Sequence, residues 1–167
     1  MKCYREFPLS TVVYNAVTLG GALLVGVIVA AQYGLWAAIG FLSLLALTVA
    51  GLLAAVCARC SYYGRRCALG LGKVTALAFK KGREDEFFRT AGQIVILLLL
   101  ALLLLLPIAA SVALLAAEFS TWRLALLVAL VGLLLAGALP HPRLVCRHCC
   151  QREQGVCPVG RQLWKTE

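Results

Sequence analysis

Eight cysteines are the residues whose types and spacing carry chemistry here: Cys3, Cys57, Cys60, Cys67, Cys146, Cys149, Cys150 and Cys157. Cys57-Ala-Arg-Cys60 and Cys146-Arg-His-Cys149 form two CxxC pairs, each with a trailing thiol, Cys67 and Cys157. Two residues between thiolates let one tight turn offer both sulfurs to a tetrahedral ion, and two such pairs make a four-cysteine zinc site. Gly64 and Gly155 fall inside the trailing turns and Pro158 comes directly after the last cysteine, so the clusters read as two copies of one device. The expected metal ligands are Cys57, Cys60, Cys67, Cys146, Cys149 and Cys157, with Cys150 and His148 as substitutes.

A soft, all-sulfur donor set points to Zn2+. An iron–sulfur cluster is the alternative cofactor, because four thiolates hold one equally well. Thiol–disulfide chemistry is a third reading, since CxxC lowers a thiol pKa, although no thioredoxin-like strand–helix pattern accompanies it. Arg65 and Arg66 lie within the first cluster, where they would offset thiolate charge or meet a lipid phosphate. Tyr62 and Tyr63 read as interfacial anchors. Cys3 has no partner in sequence and suits lipidation, as juxtamembrane cysteines do. His141, between two prolines, reads as turn structure. No general base, nucleophile triad or carboxylate pair stands beside the thiols, so no catalytic residue is assigned. A structural or partner-interaction role is favoured over an enzyme. The rival functions are a membrane-anchored iron–sulfur electron-transfer subunit of a larger complex, and a membrane thiol oxidoreductase or lipid-modifying enzyme.

The elements that must position these cysteines are membrane helices. The chain has 167 residues, 62 % hydrophobic, 14 % charged, with a mean hydropathy of +0.92. A soluble domain carries roughly 45–50 % apolar and about 25 % charged residues. A bilayer core needs roughly 20 apolar residues in a helix, and four stretches supply them: 9–31, 35–56, 93–117 and 122–139. The first is too long for a cleaved signal and reads as retained. The fold class is therefore an all-α integral membrane protein, four transmembrane helices as two tandem hairpins. Residues 1–67 form the first hairpin with its cysteine cluster, 68–92 a basic interfacial linker, and 93–167 the second hairpin with its cysteine tail.

Of the sixteen Lys and Arg residues, only Arg123 lies outside the N-terminus, the central loop and the C-terminal tail. Positive charge marks the cytoplasmic side, so both termini and all the cysteines are expected in the cytoplasm of a multi-pass protein of the cell (inner or plasma) membrane. That reducing compartment disfavours structural disulfides. The net charge of +9 is then explained by orientation and by anionic lipid head groups as partners, and nucleic acid is not expected.

Within the spans, Ala22, Gly26 and Ala30 on the first and Gly132 and Ala136 on the fourth are small-residue faces for close helix contact. Pro107 is expected to kink the third. Asn15, Thr18, Thr48 and Ser111 are the polar groups at depth. The absence of ionisable residues there argues against a pump or transporter. Leu69, Leu71, Val74, Leu77 and Ala78 form an apolar stripe suited to a short amphipathic helix on the membrane surface. Glu84, Asp85 and Glu86 suit the start of the helix leading into span three. Gly70-Leu71-Gly72-Lys73 lacks the rest of a phosphate-binding loop. Because both halves would insert alike, they are expected as parallel repeats about an axis along the membrane normal. One ion shared between the CxxC pairs requires spans two and four to touch at their cytoplasmic ends. The alternative is a separate site in each half.

Overall fold

A computed structural model describes residues 3–87 and 90–153. Helix α1 runs Leu9–Gln32, α2 Leu35–Gly51, α3 Leu71–Ala78, α4 Ala91–Ala117, α5 Thr121–Ala138, α6 His141–Leu144 and α7 Cys150–Glu153. No strand occurs among the described residues. Four helical stretches, Leu9–Gln32, Leu35–Arg59, Ala91–Ala117 and Thr121–His148, are long and apolar enough to cross a membrane. They mark a multi-pass membrane protein. Their most apolar windows are only 11 to 28 % buried, so most of the leucine surface faces outward, as lipid requires and water would not tolerate.

The inside of the bundle carries the polar groups. With no water at depth, each must be satisfied by the protein itself. The Asn15 amide donates to the Thr11 and Ala68 carbonyls at 2.9 and 3.0 Å. Thr18, Thr48 and Ser111 donate back one turn to Tyr14, Leu44 and Pro107. Helix α4 continues through Pro107, which is buried. Around it lies an apolar cavity of about 380 Å³ lined by Gly26, Val29, Tyr33, Phe41 and Pro107.

Helix α1 is central, packing on α5, α2 and α4, and α4 also packs on α5 and α2. Helices α2 and α5 form no substantial contact, so the two spans leading to the CxxC pairs do not pack along their lengths, and the cysteine-bearing ends are brought together by the loops that follow them. The small-residue face on α1 is used: Ala22 and Gly26 are buried, with Gly26 against Phe41 and Pro107. Gly132 on α5, by contrast, has open space around it, and Gly137 instead meets Thr18.

The cysteine-bearing end of α2 departs from α-helical geometry. Residues Leu52–Val56 widen into a π-turn, and such turns leave carbonyls without their usual partners. Here the Arg59 guanidinium donates to the Ala55 carbonyl at 3.1 Å, and the fully buried Gln93 amide reaches the same carbonyl at 2.9 Å. Gln93 also closes the capping box of α4, accepting from the Thr90 N–H at 3.2 Å. Helix α4 therefore starts at this box, and the acidic run expected to start it does something else. Glu84–Glu86 forms a separate 3₁₀ turn whose carboxylates pair with Lys81, Arg83 and Arg59. The expected amphipathic helix is α3, with Val74 and Leu77 outward and Gly72 and Thr75 buried against the first cysteine loop.

Gly72 holds that loop close. A Cβ there would strike the carbonyl oxygens of Tyr62 and Arg65, and the Gly72 carbonyl accepts from the Gly64 N–H at 3.0 Å. Backbone carbonyls cannot swing aside as a side chain can. Gly72→Ala is therefore expected to cost about 1–3 kcal/mol, the usual penalty of overpacking. Gly92→Ala, at a position open around the Cβ, is expected to be neutral or stabilising. Unfolding midpoints of the two purified variants in detergent check this.

Candidate functional site

The two CxxC segments adopt the same turn. Cys57–Arg59 and Cys146–His148 are both 3₁₀ turns. Each is preceded by a valine of nearly equal conformation, Val56 at φ −105°, ψ −57° and Val145 at φ −112°, ψ −61°. Each ends in an extended cysteine with φ −82°, Cys60 and Cys149. In both, the second cysteine's N–H donates to the first cysteine's carbonyl, at 3.2 and 3.4 Å. The trailing Cys67 sits in its own turn, accepting at its carbonyl from the Gly70 N–H at 2.9 Å. Cys157, Gly155 and Pro158 lie outside the described residues.

The two turns meet at one end of the bundle. Phe7, Tyr62, Ala68 and Val145 form a buried apolar cluster against which Cys60, Cys67, Cys149 and Cys150 all pack. The connection comes from an N-terminal strap, residues 3–8, laid across both loops. The Tyr4 N–H donates to the His148 carbonyl at 3.0 Å, and the Phe7 N–H donates to the Arg66 carbonyl at 3.0 Å. The Tyr4 ring stacks on the His148 imidazole with centroids 4.4 Å apart. The Tyr62 hydroxyl donates to the Tyr4 carbonyl at 2.9 Å and accepts from the Cys150 N–H at 3.1 Å. Tyr62 is only 3 % exposed, so it is a buried node joining three segments and no interfacial anchor. Tyr63 turns the other way and donates to the Phe79 carbonyl at 2.7 Å.

The strap ends in a disulfide between Cys3 and Cys150. This corrects two expectations: Cys3 has a partner, and Cys150 is not free to serve as a substitute ligand while the bond stands. Cys57, Cys60 and Cys67 are free thiols, and these three, Cys146 and Cys149 are all partly buried. Among the described residues no three His, Cys, Asp or Glu side chains are arranged as a ready metal cage. The thiols are nevertheless close enough to feel one another. Burial pushes the Cys60 thiol up to about 12, reinforced by Cys57, Cys67 and Cys149 and opposed by the Tyr62 backbone N–H. Burial likewise pushes the Tyr62 hydroxyl up to about 12, with the Cys150 N–H acting the other way. Cys57 lies near the buried Thr75, whose hydroxyl donates to the Leu71 carbonyl at 2.8 Å, and interacts electrostatically with Cys67. His148 is held by stacking, and His141 opens α6 at the foot of α5.

Sequence reasoning missed the strap, Tyr62 and Thr75. The Cys3–Cys150 pairing spans 147 residues, and no local spacing signals a bond of that reach. The chain gives no match to protein-family models, to curated proteins or to solved structures.

A buried, protonated thiol is a poor nucleophile, because only the thiolate attacks. In metal-free folded protein at pH 8, Cys60 is expected to alkylate at least about a hundredfold more slowly than in the denatured chain, where thiols return to about 8.5. Its rate should climb about tenfold per pH unit as the pH rises towards 12, since the thiolate fraction does. Stability responds in the same sense: the neutral buried thiol favours the fold below the unfolded thiol's pKa, and that contribution fades as pH rises above it. Mass-spectrometric mapping of iodoacetamide adducts against pH reads out Cys60 directly.

Proposed function

We propose that this is a multi-pass membrane protein whose paired cysteine turns bind a soft metal ion, Zn2+ first, and so tie the cysteine-bearing ends of its helices into one structural or partner-docking platform. The observation that carries the reading is the duplicated Val-Cys-x-x-Cys turn, with Cys60, Cys67 and Cys149 against one buried cluster. Cys57, Cys60, Cys67 and Cys149, of which the other three act electrostatically on Cys60, are the donors assigned to a shared site, with Cys146 and Cys157 as the remaining candidates of the two clusters. A metal would offset the burial that chiefly raises Cys60 and turn the smaller repulsion from Cys57, Cys67 and Cys149 into attraction, because coordination requires thiolates and releases their protons. A cation there would also relieve the burial of sulfur charge. Two tandem hairpins with the cysteines on the cytoplasmic side complete the proposal, supported by the distribution of Lys and Arg. An iron–sulfur centre in the same thiols is the variant with the same donors.

A second reading rests on the Cys3–Cys150 disulfide beside free thiols. In it the protein is a membrane thiol oxidoreductase. Two substrate thiols would reduce the Cys3–Cys150 bond to two thiols and leave as a disulfide, their two protons passing to Cys3 and Cys150. The bond itself sits poorly with a reducing compartment, and in this reading it is transient, re-formed when a small-molecule disulfide takes up the two electrons and two protons of Cys3 and Cys150 and leaves as two thiols.

Elemental analysis of anaerobically purified protein separates these. The metal reading expects zinc near stoichiometric, lost in Cys60→Ser and Cys149→Ser but retained in Cys3→Ser. Less than about 0.2 metal per chain sinks it, given the tight binding expected of thiolate zinc sites. A brown protein with iron and acid-labile sulfide replaces zinc with a cluster. A metal-free protein that oxidises a dithiol only when Cys3 and Cys150 are intact establishes the second reading.

A further inference from the structure

Beside the disulfide lies a polar cavity of about 370 Å³, lined by Arg5, Ser61, Tyr63, Arg65, Lys81 and Glu84. Its size falls within the range of small-ligand sites. Arg5 and Arg65 also line a neighbouring cleft together with Glu6. Both acids are already engaged: Glu84 pairs with Lys81 at 2.8 Å, and Glu6 with Arg66 at 2.9 Å. Arg59, Arg83 and Arg123 likewise have carboxylate partners. Arg5 and Arg65 have no ion pair and no side-chain hydrogen bond among the described residues. Two uncompensated guanidiniums from segments far apart in sequence thus face one cavity.

They are held there by the backbone. Arg5 lies between Tyr4, fixed to His148 and Tyr62, and Phe7, fixed to Arg66. The Arg65 N–H donates to the Tyr62 carbonyl at 2.9 Å. The backbone carrying both residues is thus ordered before ligand arrives, leaving the two arginine side chains to be fixed on binding. The planar forks of two arginines match the oxygens of a phosphate group, each bidentate. The Tyr63 hydroxyl, committed to the Phe79 carbonyl as donor, can only accept, and Lys81 is paired with Glu84, so the arginines are the cationic groups without a carboxylate partner. The cavity lies beyond the apolar spans, at the end of the bundle that carries the cysteine turns.

We infer that Arg5 and Arg65 form a phosphate-binding site, for a phospholipid head group or a soluble phosphate, independent of the metal reading. Two arms distinguish the sources, both on full-length protein. In detergent, inorganic phosphate is titrated by calorimetry. In phosphatidylcholine nanodiscs doped with phosphatidic acid, retained lipid is counted by native mass spectrometry. Saturation by inorganic phosphate indicates a soluble ligand, and a single retained phosphatidic acid without phosphate binding indicates a head group. In whichever arm saturates, the Arg5→Gln/Arg65→Gln variant is expected to bind about tenfold or more weakly, because bidentate charge-assisted bonds are lost. Lys73→Gln/Lys80→Gln, which removes equal charge from positions outside the cavity, is expected to stay within about twofold, the scale of screened surface charge. Should the arginine pair fail to fold, Arg65→Lys keeps the charge, loses the fork and is expected to weaken binding alone. No saturation in either arm, an equal loss in the lysine variant, or an unaffected arginine variant overturns the site.

Discussion

The Tyr62 hydroxyl donates to Tyr4 and accepts from Cys150, while its ring packs on Phe7. Everything at the cysteine-bearing end depends on those contacts. The bundle beneath does not bring the two CxxC turns together, because α2 and α5 make no substantial contact. A buried hydroxyl left without partners costs about 1–3 kcal/mol, so the node holds only while all three segments are in place. It acts as a lock: the first loop contributes the tyrosine, the strap its acceptor and the second turn its donor. The apolar cluster of Phe7, Tyr62, Ala68 and Val145 then excludes water from the same bonds, which strengthens each of them.

Inside the spans the same accounting rule produces a different solution. The polar residues at depth bond to carbonyls one turn back or to a neighbouring loop, so the lipid-facing surface stays apolar. The π-turn at Leu52–Val56 is where this would fail, and Arg59 and Gln93 repair it at the Ala55 carbonyl. Arg59 is in turn held by Glu86 at 3.0 Å. The acidic 3₁₀ turn thus stabilises the end of α2, two segments away in sequence. That exit from α-helical geometry also sets the direction in which Cys57 leaves the span.

The helices and the turns were legible in the sequence, and their mutual arrangement was not. Long apolar runs define the spans through composition and length, which are local properties, and α2, α4 and α5 begin within two residues of where those runs do. CxxC spacing likewise fixes a turn over four residues. The pairing of Cys3 with Cys150, the separation of α2 from α5, and the burial of Tyr62 depend on contacts between distant segments. Tyr62 and Tyr63 look alike in sequence, yet one is a core node and the other bonds to Phe79 at the edge of the loop. The acidic run misled for a related reason. Charges near a helix start favour its dipole by under about 1 kcal/mol, and three salt-bridge partners nearby outweigh that.

The near-identity of the two turns and the difference in their surroundings have one physical origin. A Val-Cys-x-x-Cys segment at the end of a membrane helix closes its own 3₁₀ turn from local bonds, so it forms wherever it is placed. The chain beyond each turn is shaped by non-local contacts instead. After Cys60 it folds back over Gly72, where only glycine fits against the Tyr62 and Arg65 carbonyls. After Cys149 it enters α7 and the disulfide to the strap. A strict two-fold arrangement would need a second strap ahead of α4, where the chain instead forms the acidic 3₁₀ turn. The strap therefore breaks the symmetry that the turns share, and places its one uncommitted arginine, Arg5, over the first loop beside Arg65.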